Sequence, residues 1–218
     1  MRGNGQGAGR LAVTGGVRTM MPFTGRWSRR HDDVVVRLVR DLDPASIHDV
    51  GCGDGTRVLR WTHAGLTAWG SDDSGTAVDR ARDRAFGEGL DDSMYSVRRV
   101  HHLEAHVDTA ELVVCCGVLE RISDPDLALR RLQIVTERYL VVSATRWPWP
   151  NLLNLACGRY WTRSGRSPSQ ANIWTRSAFA DLLSRYFVVE KVMTPFPWTI
   201  LLCRAQTDTQ VVRHLGSP

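Results

Sequence analysis

The chain has 218 residues, 43% of them hydrophobic, which is enough to bury one full α/β core without a second domain. No apolar run approaches the ~18 residues of a membrane span and no charged n-region precedes an apolar h-region, so a cytoplasmic protein without a secretory signal is expected. The net charge of +5 is modest, scattered and almost all arginine, with Lys191 the single lysine, and it does not amount to a nucleic-acid footprint.

Residues 1–20 are glycine-rich, carry Arg2, Arg10 and Arg18, and show neither a helical nor a strand period. They are expected to form a disordered tail, leaving 21–218 as a single domain. Over 33–42, Val34, Val35, Leu38 and Leu42 fall on one helical face, and Asp43-Pro44 ends the helix. Ile47 to Val50 is a short apolar strand containing an acid, Asp49, and it runs straight into Gly51, Gly53 and Gly55. Glycine lacks Cβ, so such a turn can take positive φ and let a ligand approach the main chain. Thr56 to His63 then opens a helix whose free N–H groups face whatever lies over the turn. A nicotinamide fingerprint needs glycine at 56, where this chain has Thr56.

Leu66 to Gly70 reads as a second strand, followed by Ser71-Asp72-Asp73-Ser74. That places a carboxylate roughly 20 residues beyond the first turn, where a ribose-binding acid is expected in a βαβ unit. A helix over 76–86 stops at Gly87-Glu88-Gly89, and a third strand covers 95–100. Glu111 to Cys116 is a fourth strand, and Pro125 starts a helix over 126–137 with Leu127, Leu129, Leu132 and Val135 inward. A fifth strand spans 139–143. Residues 145–172 have no period and carry Trp147, Trp149, Tyr160 and Trp161 among prolines and glycines, which is long for an idle loop. A helix over 177–186 and two strands, 187–192 and 198–204, close the pattern. The cysteines Cys52, Cys115, Cys116, Cys157 and Cys203 are odd in number, lack C-x-x-C spacing and read as buried free thiols.

Three stretches, taken together and in order, carry a resemblance: D-x-G-x-G-x-G from Asp49 to Gly55, G-x-D-x-S at Gly70, Asp72 and Ser74, and the fourth strand with its following loop over 111–125. Over about residues 33–204 the chain resembles the class I S-adenosylmethionine (SAM)-dependent methyltransferases. The resemblance implies a Rossmann-like three-layer α/β sandwich around a mostly parallel seven-stranded sheet with an antiparallel last strand. It implies SAM as cofactor, with Asp49, Gly51, Cys52, Gly53, Asp72, Asp73, His102, Leu103, Cys116 and Gly117 as the residues that hold it.

The chain also departs from the family. Asp73 stands where an apolar side chain usually lies against the adenine, and His102-Leu103 stands where an acid usually meets its amino group. Related enzymes that use a metal carry E-x-x-E-H after the fourth strand and a further His near the last helix. Here those positions are Gly117, Glu120, Arg121 and Gln170, so no metal is expected. The N-P-P-[YFW] signature of nucleic-acid amino-methyltransferases is absent.

Methyl transfer from a sulfonium is an in-line displacement whose leaving group needs no proton, so a fixed base is optional. His31, His101, His102 and Tyr160 are the candidates able to reach the ligand edge. The expected reaction is transfer to an O or N nucleophile of a small molecule or short peptide. Residues 145–174 would form a lid, and Trp147, Trp149, Tyr160 and Trp161 would be acceptor contacts. The rival readings are an RNA methyltransferase and a SAM-binding protein without turnover.

Overall fold

The computed structural model describes residues 24–146 and 171–206. The expected tail 1–20, and Trp147, Trp149, Cys157, Tyr160, Trp161 and Gln170, lie outside the described residues. In chain order the elements are α1 (Thr24–Leu42), β1 (Ile47–Val50), α2 (Thr56–His63), β2 (Ala68–Asp72), α3 (Gly75–Gly87), β3 (Tyr95–Val97), α4 (Ala105–Asp108), β4 (Ala110–Cys116), α5 (Pro125–Val135), β5 (Thr136–Thr145), α6 (Arg176–Ser184), β6 (Phe187–Met193) and β7 (Trp198–Ala205). Short 3₁₀ turns fall at Asp92–Met94, Val100–His102 and Leu119–Arg121.

The strands form one sheet in the order β3-β2-β1-β4-β5-β7-β6. β1 to β5 run parallel, and β7 is antiparallel to both β5 and β6. Side chains alternate across each strand, so each face collects its own apolar set. Val35, Leu38 and Val39 of α1, Leu59 and Trp61 of α2 and Val78 and Ala81 of α3 cover Ile47, Leu112, Val114 and Val141. On the other face Leu129 and Leu132 of α5 and Phe179 and Leu183 of α6 cover Val113, Cys115, Leu140 and Val142. The result is the expected Rossmann-like three-layer α/β sandwich.

Local chemistry sets the helix starts. Ser74 caps α3 by accepting from the Ala77 N–H, and Asp124 caps α5 by accepting from the Leu127 N–H at 2.9 Å, with Pro125 at the first helical position. That start turns Leu127 outward and seats Ala128 beside Leu129 in the core, correcting the inward placement of Leu127. Strand β3 is shorter than expected because the chain bends into the 3₁₀ turn at Val100. Cys52, Cys115, Cys116 and Cys203 are free and buried. Among the described residues no helix is long and apolar enough to cross a membrane.

Candidate active site

The order of strands reverses direction at β1, with β2 on one side and β4 on the other, and the glycine turn leaves the carboxyl end of that strand. In open α/β sheets this is where ligands bind. Gly51, Gly53 and Gly55 all take positive φ, at 79°, 59° and 74°. Their reasons differ. A Cβ at Gly51 would lie 2.2 Å from Val118 Cγ2 and one at Gly55 2.6 Å from the Tyr95 hydroxyl, whereas a Cβ at Gly53 would meet nothing within 4 Å. Gly117, also at positive φ, is open in the same way. Gly53 and Gly117 thus leave bare backbone facing free space, a cradle that side chains would fill.

The turn is tied to β2. Gly51 and Cys52 donate their N–H groups to the Ser71 carbonyl at 2.7 and 3.0 Å, and Gly53 donates to Asp72 Oδ2 at 2.9 Å. Asp72 Oδ1 accepts from the Ser74 N–H at 2.9 Å, so the carboxylate is held by two main-chain donors and keeps its remaining lone pairs for a ligand.

Beside this edge lies a cleft of about 330 Å³, lined by Gly51, Asp73, Arg99, His101, Val118 and Ile122 among others. A second cleft of about 490 Å³ adjoins it and shares Asp73, Arg98 and Arg99 with the first, adding His102 and Glu104. Asp73, His101 and His102 therefore sit at the cleft walls. Leu103 does not, because it is wholly buried in the core, and its N–H turns toward the Val100 carbonyl at 3.4 Å to close the 3₁₀ turn. Arg99, Val118 and Ile122 line the cleft without having been singled out in the sequence, and Arg121, read there only as a position unfit for a metal, lines it too. Gly117, directly before Val118, was the available signal.

Asp49 is fully buried, and both its oxygens are taken by Arg57, from Nε and Nη2 at 3.0 Å each. Burial alone would lower the Arg57 pKa, but the Asp49 charge and its hydrogen bonds raise it well above the usual value. Arg57 Nη1 faces Asp32 of α1 at 3.6 Å. Next to Asp32, His31 places Nδ1 3.3 Å from Asp32 Oδ1 and Nε2 2.8 Å from Ser143 Oγ on β5. Burial opposes the imidazolium, but the hydrogen bond to the Asp32 carboxylate outweighs it and raises the His31 pKa to about 9. The Trp198 ring lies 5.2 Å from the His31 ring. His31 is thus buried with both ring nitrogens engaged, an arrangement that favours its imidazolium form.

Ser143 and Thr145 alternate onto the same face of β5. Thr145 Oγ1 donates to Glu120 Oε1 at 3.2 Å, while Glu120 Oε2 is buried without a partner. Burial raises the Glu120 pKa, with the Thr145 hydrogen bonds opposing it. The turn that carries Glu120 is held rigidly: the Ala171 and Asn172 N–H groups donate to the Glu120 carbonyl, and Asn172 Nδ2 donates to the Leu119 and Ile122 carbonyls. His48, away from this site, is buried between the Asp108 carbonyl and Ser71 Oγ, at 2.9 Å each. Among the described residues no group of three His, Cys, Asp or Glu side chains converges as a metal site.

Residues 48–138 match the family described as "Methyltransferase domain". The fold is similar to that of magnesium protoporphyrin IX methyltransferase from Synechocystis PCC 6803, solved with bound SAM and with bound SAH, S-adenosylhomocysteine. The chain has the fold of the class I SAM-dependent methyltransferases, and its residues 48–138 carry the match to a methyltransferase domain. Against the SAM-bound structure the TM-score is 0.66 with 17% identity, covering 94% of this chain and 87% of the other. A second similar structure was described for conversion of a disulfide bond into a thioacetal group during echinomycin biosynthesis, with TM-score 0.65, 15% identity and coverage of 83% and 85%. A third is the PH0226 protein from Pyrococcus horikoshii OT3, with TM-score 0.64, 14% identity and coverage of 83% and 92%. No curated protein matches the sequence. The open backbone at Gly53 and Gly117 beside Asp72 fits SAM as a cofactor.

Proposed function

We propose that this enzyme methylates an oxygen or nitrogen nucleophile of a small molecule in the cytoplasm, without a metal. When bound, SAM supplies an electrophilic methyl group on a sulfonium. Asp72 holds the ribose hydroxyls, and the wall formed by Asp73, His101 and Val118 receives the adenine. Gly53 and Gly117 give the cofactor's chain its path along the backbone. The acceptor lies beyond Cys116 at the carboxyl end of β5, where His31, Ser143, Thr145, Glu120 and Trp198 converge on the face that α1 covers. That convergence of buried His31 and buried Glu120 on one strand end is the observation that carries the reading.

In this arrangement His31 orients rather than abstracts, since its proton is held by Asp32 and Ser143. Glu120, with one oxygen free of hydrogen bonds, is the group able to take a proton from an acceptor hydroxyl. Glu120 and Arg121 stand where a metal-using relative needs a carboxylate and an imidazole, and Arg121 cannot ligate.

The test is transfer of labelled methyl from SAM to panels of phenols, alcohols, amines and short peptides, each with and without EDTA. Transfer that survives EDTA supports the reading. Transfer that stops with EDTA and returns with Mg²⁺ rejects the metal-free part of it. Transfer to RNA alone, falling steeply with salt, would replace the acceptor class.

A further inference from the structure

Two buried polar atoms at the carboxyl end of β5 have no hydrogen-bond partner, and neither belongs to the cofactor turn. They are Arg146 Nε and Thr199 Oγ1. Thr199 is buried and Arg146 half-buried, and no carboxylate pairs with Arg146 among the described residues. A buried donor left unpaired costs more than a typical hydrogen bond returns, and a guanidinium keeps its charge at any working pH, so an acceptor from outside the fold accounts for the pair.

Strand register sets the two side by side. Thr199 pairs with Ala144 across β5 and β7, and two residues further along β5 the Arg146 N–H donates to the Pro197 carbonyl at 2.8 Å. Directly paired residues share a face and alternate residues repeat it. Ala144, Arg146 and Thr199 therefore project to the face that α5 and α6 cover, with Leu140, Val142 and Leu201. Diagonal neighbours of this kind lie about 7–8 Å apart, within the reach of an arginine, yet no hydrogen bond joins these two. On its other side Arg146 pairs with Trp174, whose ring lies 5.4 Å from that of Phe179. The preceding residue leads back to the reaction: Thr145 Oγ1 donates to Glu120 Oε1 at 3.2 Å. One strand end thus carries a buried carboxyl toward one face and an unpaired guanidinium toward the other.

We propose that the methyl acceptor is an organic acid whose carboxylate is held by Arg146 and Thr199 while its nucleophile faces Glu120. This rests on the acceptor placement given above. A carboxylate accepts from both donors, and its bonds to a guanidinium are charge-assisted. A carboxamide of the same shape satisfies only one donor and turns an N–H toward the other. Arg146 thereby selects the acceptor, and Glu120 acts on its nucleophile.

The test sets acids beside their carboxamides: the isomeric hydroxybenzoates, the aminobenzoates and a series of aliphatic hydroxy acids, in labelled methyl transfer from SAM and in calorimetry on the SAH complex. The wild-type enzyme should favour an acid over its amide at least about tenfold in kcat/KM, mainly through KM. Arg146→Gln should bring acid and amide within about threefold of each other while SAH affinity stays within about twofold. Arg146→Lys, which keeps the charge and loses the fork, should retain part of the preference. A purely structural arginine would lower both compounds alike and leave the ratio. Thr199→Val removes only the hydroxyl and should cut the preference severalfold, and it decides alone if Arg146→Gln does not fold. Amides used as readily as acids, an undiminished preference in the folded variants, or neither binding nor transfer of any acid by the SAH-competent enzyme overturns the proposal. Transfer to neutral phenols or amines alone would leave the acceptor placement standing without it, whereas transfer to RNA alone would reject that placement itself.

Discussion

The main-chain N–H of Gly53 donates to Asp72 Oδ2 at 2.9 Å, so the glycine turn and the acid at the end of β2 form one hydrogen-bonded unit. A carboxylate with that bond and a second one from Ser74 is fixed before any ligand arrives. Preorganisation of this kind lowers the cost of ordering the site on binding.

Asp72→Ala should therefore act twice. It removes the ribose contact, weakening SAH binding by about 1.5–3 kcal/mol, and it frees the Gly53 and Ser74 N–H groups, which costs stability as well. Calorimetry should show the weaker binding and thermal unfolding a lower midpoint. Asp73→Ala, at the exposed cleft wall, should leave the unfolding midpoint unchanged and change SAH affinity by less than Asp72→Ala does. The reverse order would make Asp73 the ribose acid.

The two glycines at 51 and 53 should respond differently to alanine. Both carry the left-handed backbone, worth roughly 1–2 kcal/mol against an L side chain. Only Gly51→Ala also drives a methyl into Val118 at 2.2 Å, adding about 1–3 kcal/mol of overpacking. Gly51→Ala should thus be the less stable variant, with part of the loss recovered by Val118→Ala in a double-mutant cycle. Gly53→Ala should stay folded and lose SAH binding, because its methyl fills the open cradle. Full SAH affinity in folded Gly53→Ala would move the cofactor off the turn.

Much of this was legible beforehand, and the boundary has physical causes. The strands and the helices of the sandwich announce themselves by period, and the spacing from Gly51 to Asp72 follows from the length of a βαβ unit. Leu103 lies in the core because a 3₁₀ turn at Val100 redirects the chain, and three residues carry no periodic signal. Arg57 and Ser143 were not legible as site residues. Arg57 gains its role from α1 folding across the sheet, and the His31–Ser143 bond joins residues 112 positions apart. Helix periodicity tells which face His31 occupies, not which strand end it meets.

Stability should be highest near pH 6.5 as far as the two buried histidines decide it. His31 has its pKa raised from 6.5 to about 9, so its contribution is complete below 6.5 and is lost as pH rises toward 9. His48 is shifted the other way by burial, against the pull of the Asp108 carbonyl, so its contribution is present above 6.5 and is lost as pH falls below that value. Thermal unfolding followed across pH should show both arms. His31→Gln should flatten the alkaline arm between 6.5 and 9 and leave the acid arm in place. An alkaline arm unchanged in that variant would show that His31 is already neutral in the folded enzyme.

Glu120 gives a prediction in which stability and activity part company. Its Oε2 is buried without a hydrogen bond, and burial raises its pKa, so the carboxyl's contribution is complete at low pH and declines as pH rises through the folded value. Glu120→Gln keeps the shape and the contact with Thr145 while removing the charge, and at pH 8 it should stabilise the fold by about 1 kcal/mol or more. Glu120→Ala should not, because it also empties a packed position only 7% exposed. A group kept at a cost to stability is expected to serve the reaction. With SAH affinity unchanged, Glu120→Gln should reduce methyl transfer to a hydroxyl acceptor by about 10²–10⁴-fold, the usual worth of a positioned base, and should remove the acid limb of the rate profile. A more stable variant with full transfer would confine Glu120 to packing, and a variant less stable at pH 8 would mean that the buried carboxylate is better compensated than its hydrogen bonds indicate.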